Sequence, residues 1–213
     1  MTNHVGISLG WNCNAAIEGV RLNIRKTKNE GYLTCPFDEM VTNFEGLIKC
    51  IEEDFENFCN SIYLDLVTRP QNVTHLTHLK ENEKILRNNY YNFLFNHESP
   101  GHADLYITQN WKGGINHYID NDYFEFKQRY NRRIENFRNY LNGQNEITFI
   151  LHRYKTDETD NNINKLDDVL KRKYPLLKYK FYFYDALYDP DIIKEHLLFA
   201  GCDEKTEEMQ RLK

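Results

Sequence analysis

The sequence predicts an α/β protein of one domain spanning residues 1–213, built on a mostly parallel, Rossmann-like sheet covered by helices in three layers, with a papain-like α+β arrangement as the alternative. Three observations lead there. The second half of the chain alternates segments of helical and strand periodicity. The chain opens on a short apolar run that ends at a glycine. At 213 residues, with 15 Tyr and 13 Phe, the chain has ample material for one buried core.

The elements follow in order. His4 to Gly10 reads as a first strand, and Asn12 or Asn14 caps a helix running to about Arg25. Thr34 to Met40 is a turn, because Pro36 disfavours helix before it. Asn43 to Phe58 carries Phe44, Leu47, Ile48, Ile51, Phe55 and Phe58 at helical spacing. Leu64 to Asn89 has no clear period. Tyr90 to Phe95 reads as a buried strand closing at Asn96-His97-Glu98. Asp104 to Ile119 reads as a hairpin turning at Gly113-Gly114. Asp120 to Leu141 is a long helix with Phe124, Phe126, Tyr130, Ile134, Phe137 and Leu141 on or near one face and Arg129, Arg132, Arg133 and Arg138 on the other. Glu146 to His152 is a strand, Asp160 to Lys173 a helix, Lys178 to Tyr184 a strand and Pro190 to Phe199 a last helix. In such sheets ligands bind at the carboxyl ends of strands, where Cys13, His97 and His152 fall.

Composition narrows the function. Charged residues make up 28% with both signs interspersed, and the formal net charge is −5. That argues against nucleic acid or a membrane surface as a partner. The polar start lacks a signal-peptide core, and no stretch approaches the roughly 18 apolar residues of a membrane span. The expected location is therefore cytoplasmic. Five cysteines without a CxxC pair suit reduced thiols better than disulfides or zinc. His75 and His78 lack a third ligand at suitable spacing. Lys112-Gly113-Gly114 lacks the pattern of a phosphate loop. No cofactor or metal is expected. The expected partner is a small-molecule, peptide or glycan substrate.

Cys13 is the candidate functional centre. A thiol at a helix N-terminus is acidified by the aligned backbone dipoles and free N–H groups, and Gly10 lets the chain turn sharply before it. A nucleophilic cysteine needs a base held by a carboxylate or amide. His97, at the end of an apolar strand, can supply the base, and Asp38, in the turn before Met40, can supply the carboxylate. Asn12, Asn96, Glu98, Arg132, Arg133 and His152 complete the expected substrate-binding set.

The blocks Ser8-Leu9-Gly10-x-Asn12-Cys13, Pro36-Phe37-Asp38-x-Met40-Val41, Asn96-His97-Glu98 and Tyr130-x-Arg132-Arg133-x-x-x-Phe137 resemble the DUF1796 family. That family is described as papain-like cysteine peptidases, with members in bacteria and large DNA viruses. The resemblance covers roughly residues 5 to 155, and its first two blocks are the more specific. It implies Cys13 as nucleophile, His97 as base, Asp38 as a further site residue, and a pocket shaped by Arg132 and Arg133. The chain departs from the family pattern at Glu39, where members often carry Trp. The helix–strand order after residue 120 favours a parallel sheet over a papain-like one.

Two other readings compete with a thiol hydrolase. A glycan-processing or nucleotide-sugar transferase would use the Rossmann-like half and the arginine pair; Asp120-Asn121-Asp122 and Asp189-Pro190-Asp191 have metal-motif spacing but stand where helices begin. A non-catalytic binding module that kept an old site is the third.

Overall fold

The computed structural model describes residues 3–10, 12–68, 84–102, 111–152 and 157–184. Its strands are β1 (Asn3–Ser8), β2 (Leu64–Thr68), β3 (Lys84–Asn88), β4 (Phe93–Phe95), β5 (Asn145–His152) and β6 (Lys178–Tyr184). Its α-helices are α1 (Asn14–Arg21), α2 (Phe44–Glu52), α3 (Asp120–Asn142) and α4 (Asp157–Lys173). The fold is α/β. β5 is the centre of a parallel sheet, with β1 on one side and β6 on the other. The remaining three strands form a separate antiparallel sheet in the order β2, β3, β4. A single backbone bridge, Val41 to Leu94, ties the turn after residue 40 to the antiparallel sheet.

The alternation along β5 explains the layers. Ile147, Phe149 and Leu151 point into the main core with Phe137, Leu141, Leu166 and Leu170. Ile150 points the other way, onto Gly19 of α1, where a Cβ would stand 2.3 Å from its terminal methyl. A strand buried on both faces needs helices on both faces, as the near-continuous apolar run of β5 foretells. The core is strongly aromatic: Phe37, Phe55, Phe58, Phe93, Phe95, Phe126, Tyr130 and Phe137 are buried and meet in edge-to-face and tilted pairs.

Several elements are shorter than their periodicity implies. α1 stops at Arg21 because Asn23 adopts a left-handed conformation, and the N–H groups of Ile24 and Arg25 both return to Gly19 O. α2 stops at Glu52 because Asp54 and Phe55 have positive φ; Phe55 and Phe58 remain core residues but lie in turns. Tyr90 and Tyr91 belong to the β3–β4 turn, where the Asn88 side chain accepts both of their N–H groups at 3.0 Å. The hairpin expected at Gly113-Gly114 is instead a short 3-10 helix, Gly114–Asn116, within turns; its first half, 104–110, lies outside the described residues, as does the expected helix 190–199. The segment without clear period contains β2 and β3. Among the described residues no helix is long and apolar enough to cross a membrane.

Candidate functional site

Cys13 stands at the corner between β1 and α1. β1 continues one residue past Ser8, since Leu9 N–H donates to Ile150 O. Gly10 then turns the chain with φ +89°, and its N–H donates to Ser8 Oγ at 3.1 Å. A Cβ at Gly10 would lie 2.3 Å from Thr42 Oγ1, so only glycine lets the second turn pack this closely on the corner. Thr42 Oγ1 in turn donates to Leu9 O. Asn12 Oδ1 accepts the N–H of Asn14 at 2.9 Å in a local turn, while the N-cap position itself is Cys13, without a side-chain cap. Cys13 O accepts the first hydrogen bond of the helix, from Ile17 N.

Cys13 is half-buried, and its thiol is not acidified. Burial pushes it above the ordinary thiol range, its own backbone N–H draws it down, and the Glu39 carboxylate pushes it up again. The low-pKa thiolate expected from the helix N-terminus is therefore absent; loss of solvation outweighs the backbone field.

The turn carrying Asp38 and Glu39 sends the two carboxylates to different places. Asp38 is fully buried. It accepts from Cys35 N at 2.8 Å, from Arg25 Nη2 at 3.1 Å and from Tyr32 OH. Burial pushes its carboxyl up, while Arg25 and the Cys35 N–H pull it down. These bonds lock the short 3-10 helix Pro36–Glu39. Glu39, the next residue, faces outward and stays 23% exposed. It meets Lys28 and Arg129 at 3.2 Å each, and Arg133 by a short ion pair. Burial alone would raise its carboxyl, but Arg133, Lys28, Arg129 and His97 bring it down to about 2.

His97 follows β4 in a short 3-10 helix, Asn96–Glu98. Burial pushes its imidazole below the ordinary range, Glu98 and Glu39 push it up, and Arg133 and Arg129 push it down, with a net lowering. It is thus a neutral base at neutral pH. Glu98 is buried; its Oε2 accepts from Tyr130 OH at 3.0 Å, and its Oε1 stands 2.7 Å from Arg129 Nε and 3.7 Å from Arg133 Nη1. Glu39 is the group common to the two halves: its charge acts on Cys13 and on His97 alike.

Measured against the sequence, the carboxylates acting on His97 are Glu98 and Glu39 rather than Asp38, whose ion partner is Arg25. Arg133, expected on the outer face, lies in the cluster and is 2% exposed, whereas Arg132 does point outward; Phe124, expected on the apolar face, is exposed. The second arginine of the cluster is Arg129. One helical turn separates it from Arg133, so the i, i+4 rule applied to the Phe126–Tyr130–Phe137 face would have found it. Glu39 has no local signal, because its partners come from residues 28, 129 and 133. Asn96 is half-buried and accepts Ser99 N–H on its carbonyl. His152 ends β5 opposite Tyr184, its side chain outside the described residues, as are His75 and His78. Asp122 is engaged by Ser61 and Lys127, while 189–191 lie outside the described residues. Among the described residues no three His, Cys, Asp or Glu side chains group as a metal site.

The fold and the site together define an α/β protein with a cysteine at the first βα corner of a parallel sheet, a histidine just after the antiparallel sheet, and a carboxylate–arginine cluster that includes Glu98, the residue after that histidine. The chain belongs to the DUF1796 family, described as "putative papain-like cysteine peptidase", whose model matches residues 4–183. No curated protein and no solved structure matches it.

Proposed function

We propose that the chain is a cysteine-dependent hydrolase of amide or ester bonds, peptidase-like in substrate, with Cys13 as nucleophile and His97 as general base. One arrangement supports this: Glu39, in the turn that packs against α1, pairs with Arg129 and Arg133, the same two arginines that hold Glu98, the residue next to His97. Because the resting pair is thiol and imidazole, the proton must move as the bond forms. Cys13 Sγ attacks the carbonyl carbon while His97 takes the thiol proton. The Asn14 N–H at the start of α1 is taken by Asn12 Oδ1, so the N–H groups that follow it are the oxyanion donors in this scheme. The imidazolium gives its proton to the leaving amine or alkoxide, leaving a thioester on Cys13. Water then adds to the thioester, His97 takes its proton, and the acid departs with the thiol restored.

Glu39 has two opposed effects in this scheme. It disfavours the thiolate but stabilises the imidazolium that forms beside it, so it favours proton transfer in the transition state over a standing ion pair. Glu98 and Glu39 take the orienting part for His97, and Arg133 sets the position of both. The test is hydrolysis of activated peptide esters and thioesters by the wild type, Cys13→Ala and His97→Gln, with circular dichroism as the control for folding. The expected result is loss of turnover in both variants with the fold retained. Equal turnover in Cys13→Ala would end the reading.

A further inference from the structure

The cluster around Glu39 carries a further inference about substrate class, which rests on the reading of Cys13 and His97 as the reacting pair. Three cations, Lys28, Arg129 and Arg133, surround the carboxylate of Glu39. Glu98 faces the same two arginines from the buried side and is wholly enclosed. The two carboxylates thus differ in kind. Glu98 is walled in, anchored by Tyr130 OH and fixed. Glu39 is partly open to solvent, on a short turn, and among the described residues its carboxylate is held by the cationic side chains of Lys28, Arg129 and Arg133. Arg133 is buried, and its Nη1 has no hydrogen-bond partner among the described residues, since Glu98 Oε1 at 3.7 Å is out of reach. The arginine pair therefore keeps donor capacity that its internal partners do not use.

We infer that Glu39 occupies a carboxylate subsite, and that the substrate is a peptide whose own carboxylate displaces Glu39 from Arg129 and Arg133. The group already seated there is a carboxylate, so the cradle has the size and charge for one, and guanidinium forks suit that geometry. The subsite lies on the Cys13 side of the fold, because the 3-10 turn that bears Glu39 packs against α1 and Thr42 packs against Gly10 at the corner before Cys13. The bond cleaved is then close to the carboxylate, as at the C-terminal end of a chain or beside an acidic residue. An internal occupant lowers apparent affinity by the fraction of time the cradle is filled.

The experiment measures binding in Cys13→Ala protein, so that turnover plays no part. The probes are an N-acetylated tripeptide with a free C-terminal carboxylate and the same tripeptide amidated, titrated by calorimetry. The acid should bind more tightly than the amide. Glu39→Gln should strengthen binding of the acid roughly tenfold, if the cradle is filled about nine-tenths of the time, and leave the amide unchanged. Arg129→Gln should abolish the preference for the acid. Equal binding of acid and amide, or no gain in Glu39→Gln, overturns the subsite. Thermal unfolding of each variant confirms that the folded protein is being titrated. A preference for the acid without turnover in the wild type would retain the subsite and discard the hydrolase; turnover without the preference would do the reverse.

Discussion

At Cys13 burial and the Glu39 carboxylate act in the same direction, and both keep the proton on sulfur. Alkylation by iodoacetamide, followed site by site by mass spectrometry, should be slow at pH 7 and climb as pH rises past the ordinary thiol range. Glu39→Gln removes one of the two opposing causes, so it should alkylate faster at any given pH; an unchanged profile would mean that Glu39 does not act on the thiol. Arg133 makes a second case at this scale. Its side chain is 3% exposed and touches both Glu39 and Glu98. Arg133→Ala leaves Glu98 buried beside Arg129 alone, and should cost about 3–5 kcal/mol in denaturant unfolding, the usual cost of stranding a buried charge. Arg132→Ala, on the outer face, should stay within about 0.5 kcal/mol. Two adjacent arginines look alike in sequence, and only the register of α3 separates them.

Among the elements, the β1–α1 corner is the most constrained. Gly10→Ala demands a left-handed conformation from a residue with a Cβ and forces that Cβ onto Thr42. We expect a loss of at least about 1–2 kcal/mol from the backbone alone. Thr42→Ala in the same chain should recover the steric part and leave the backbone part, which a double-mutant cycle in urea would separate. This corner was legible: a short apolar run, a glycine and flanking asparagines mark Cys13 as a strand–helix junction in the sequence alone. So were β5, α3, α4 and β6, whose periods are long and clean. The antiparallel sheet was harder. β2 and β3 are each five residues, and the Asp65–Arg87 ion pair that crosses them puts charge where a strand pattern expects apolar residues. Breaks such as Asp54-Phe55 also hide in sequence, because the apolar spacing runs on through turns that still face the core.

For the whole molecule, two groups of the site set the response to acid. Glu39 falls from 4.5 to about 2 in the folded protein. Its contribution is complete above the unfolded value and is lost as pH falls through the folded one, at most about 3.5 kcal/mol. His97 is lowered below its ordinary 6.5, so the unfolded chain binds its proton first and stability drops as pH falls below that point. The melting temperature should therefore decline below about pH 6.5 and again below pH 4.5. His97→Gln should flatten the upper limb and Glu39→Gln the lower; a profile with no lower limb in the wild type would refute the assignment. The parallel pairing of β1 with β5 sets a different constraint, one of time. His4 and Thr148, hydrogen-bonded across these strands, lie 144 residues apart in the chain. At translation rates of about 5–20 residues per second, the partner of β1 leaves the ribosome on the order of ten seconds after β1 itself. Through that interval the first strand has no sheet to join, and Cys13 is a solvated thiol of ordinary acidity. The nascent chain is thus more open to electrophiles and oxidants at Cys13 than the finished protein.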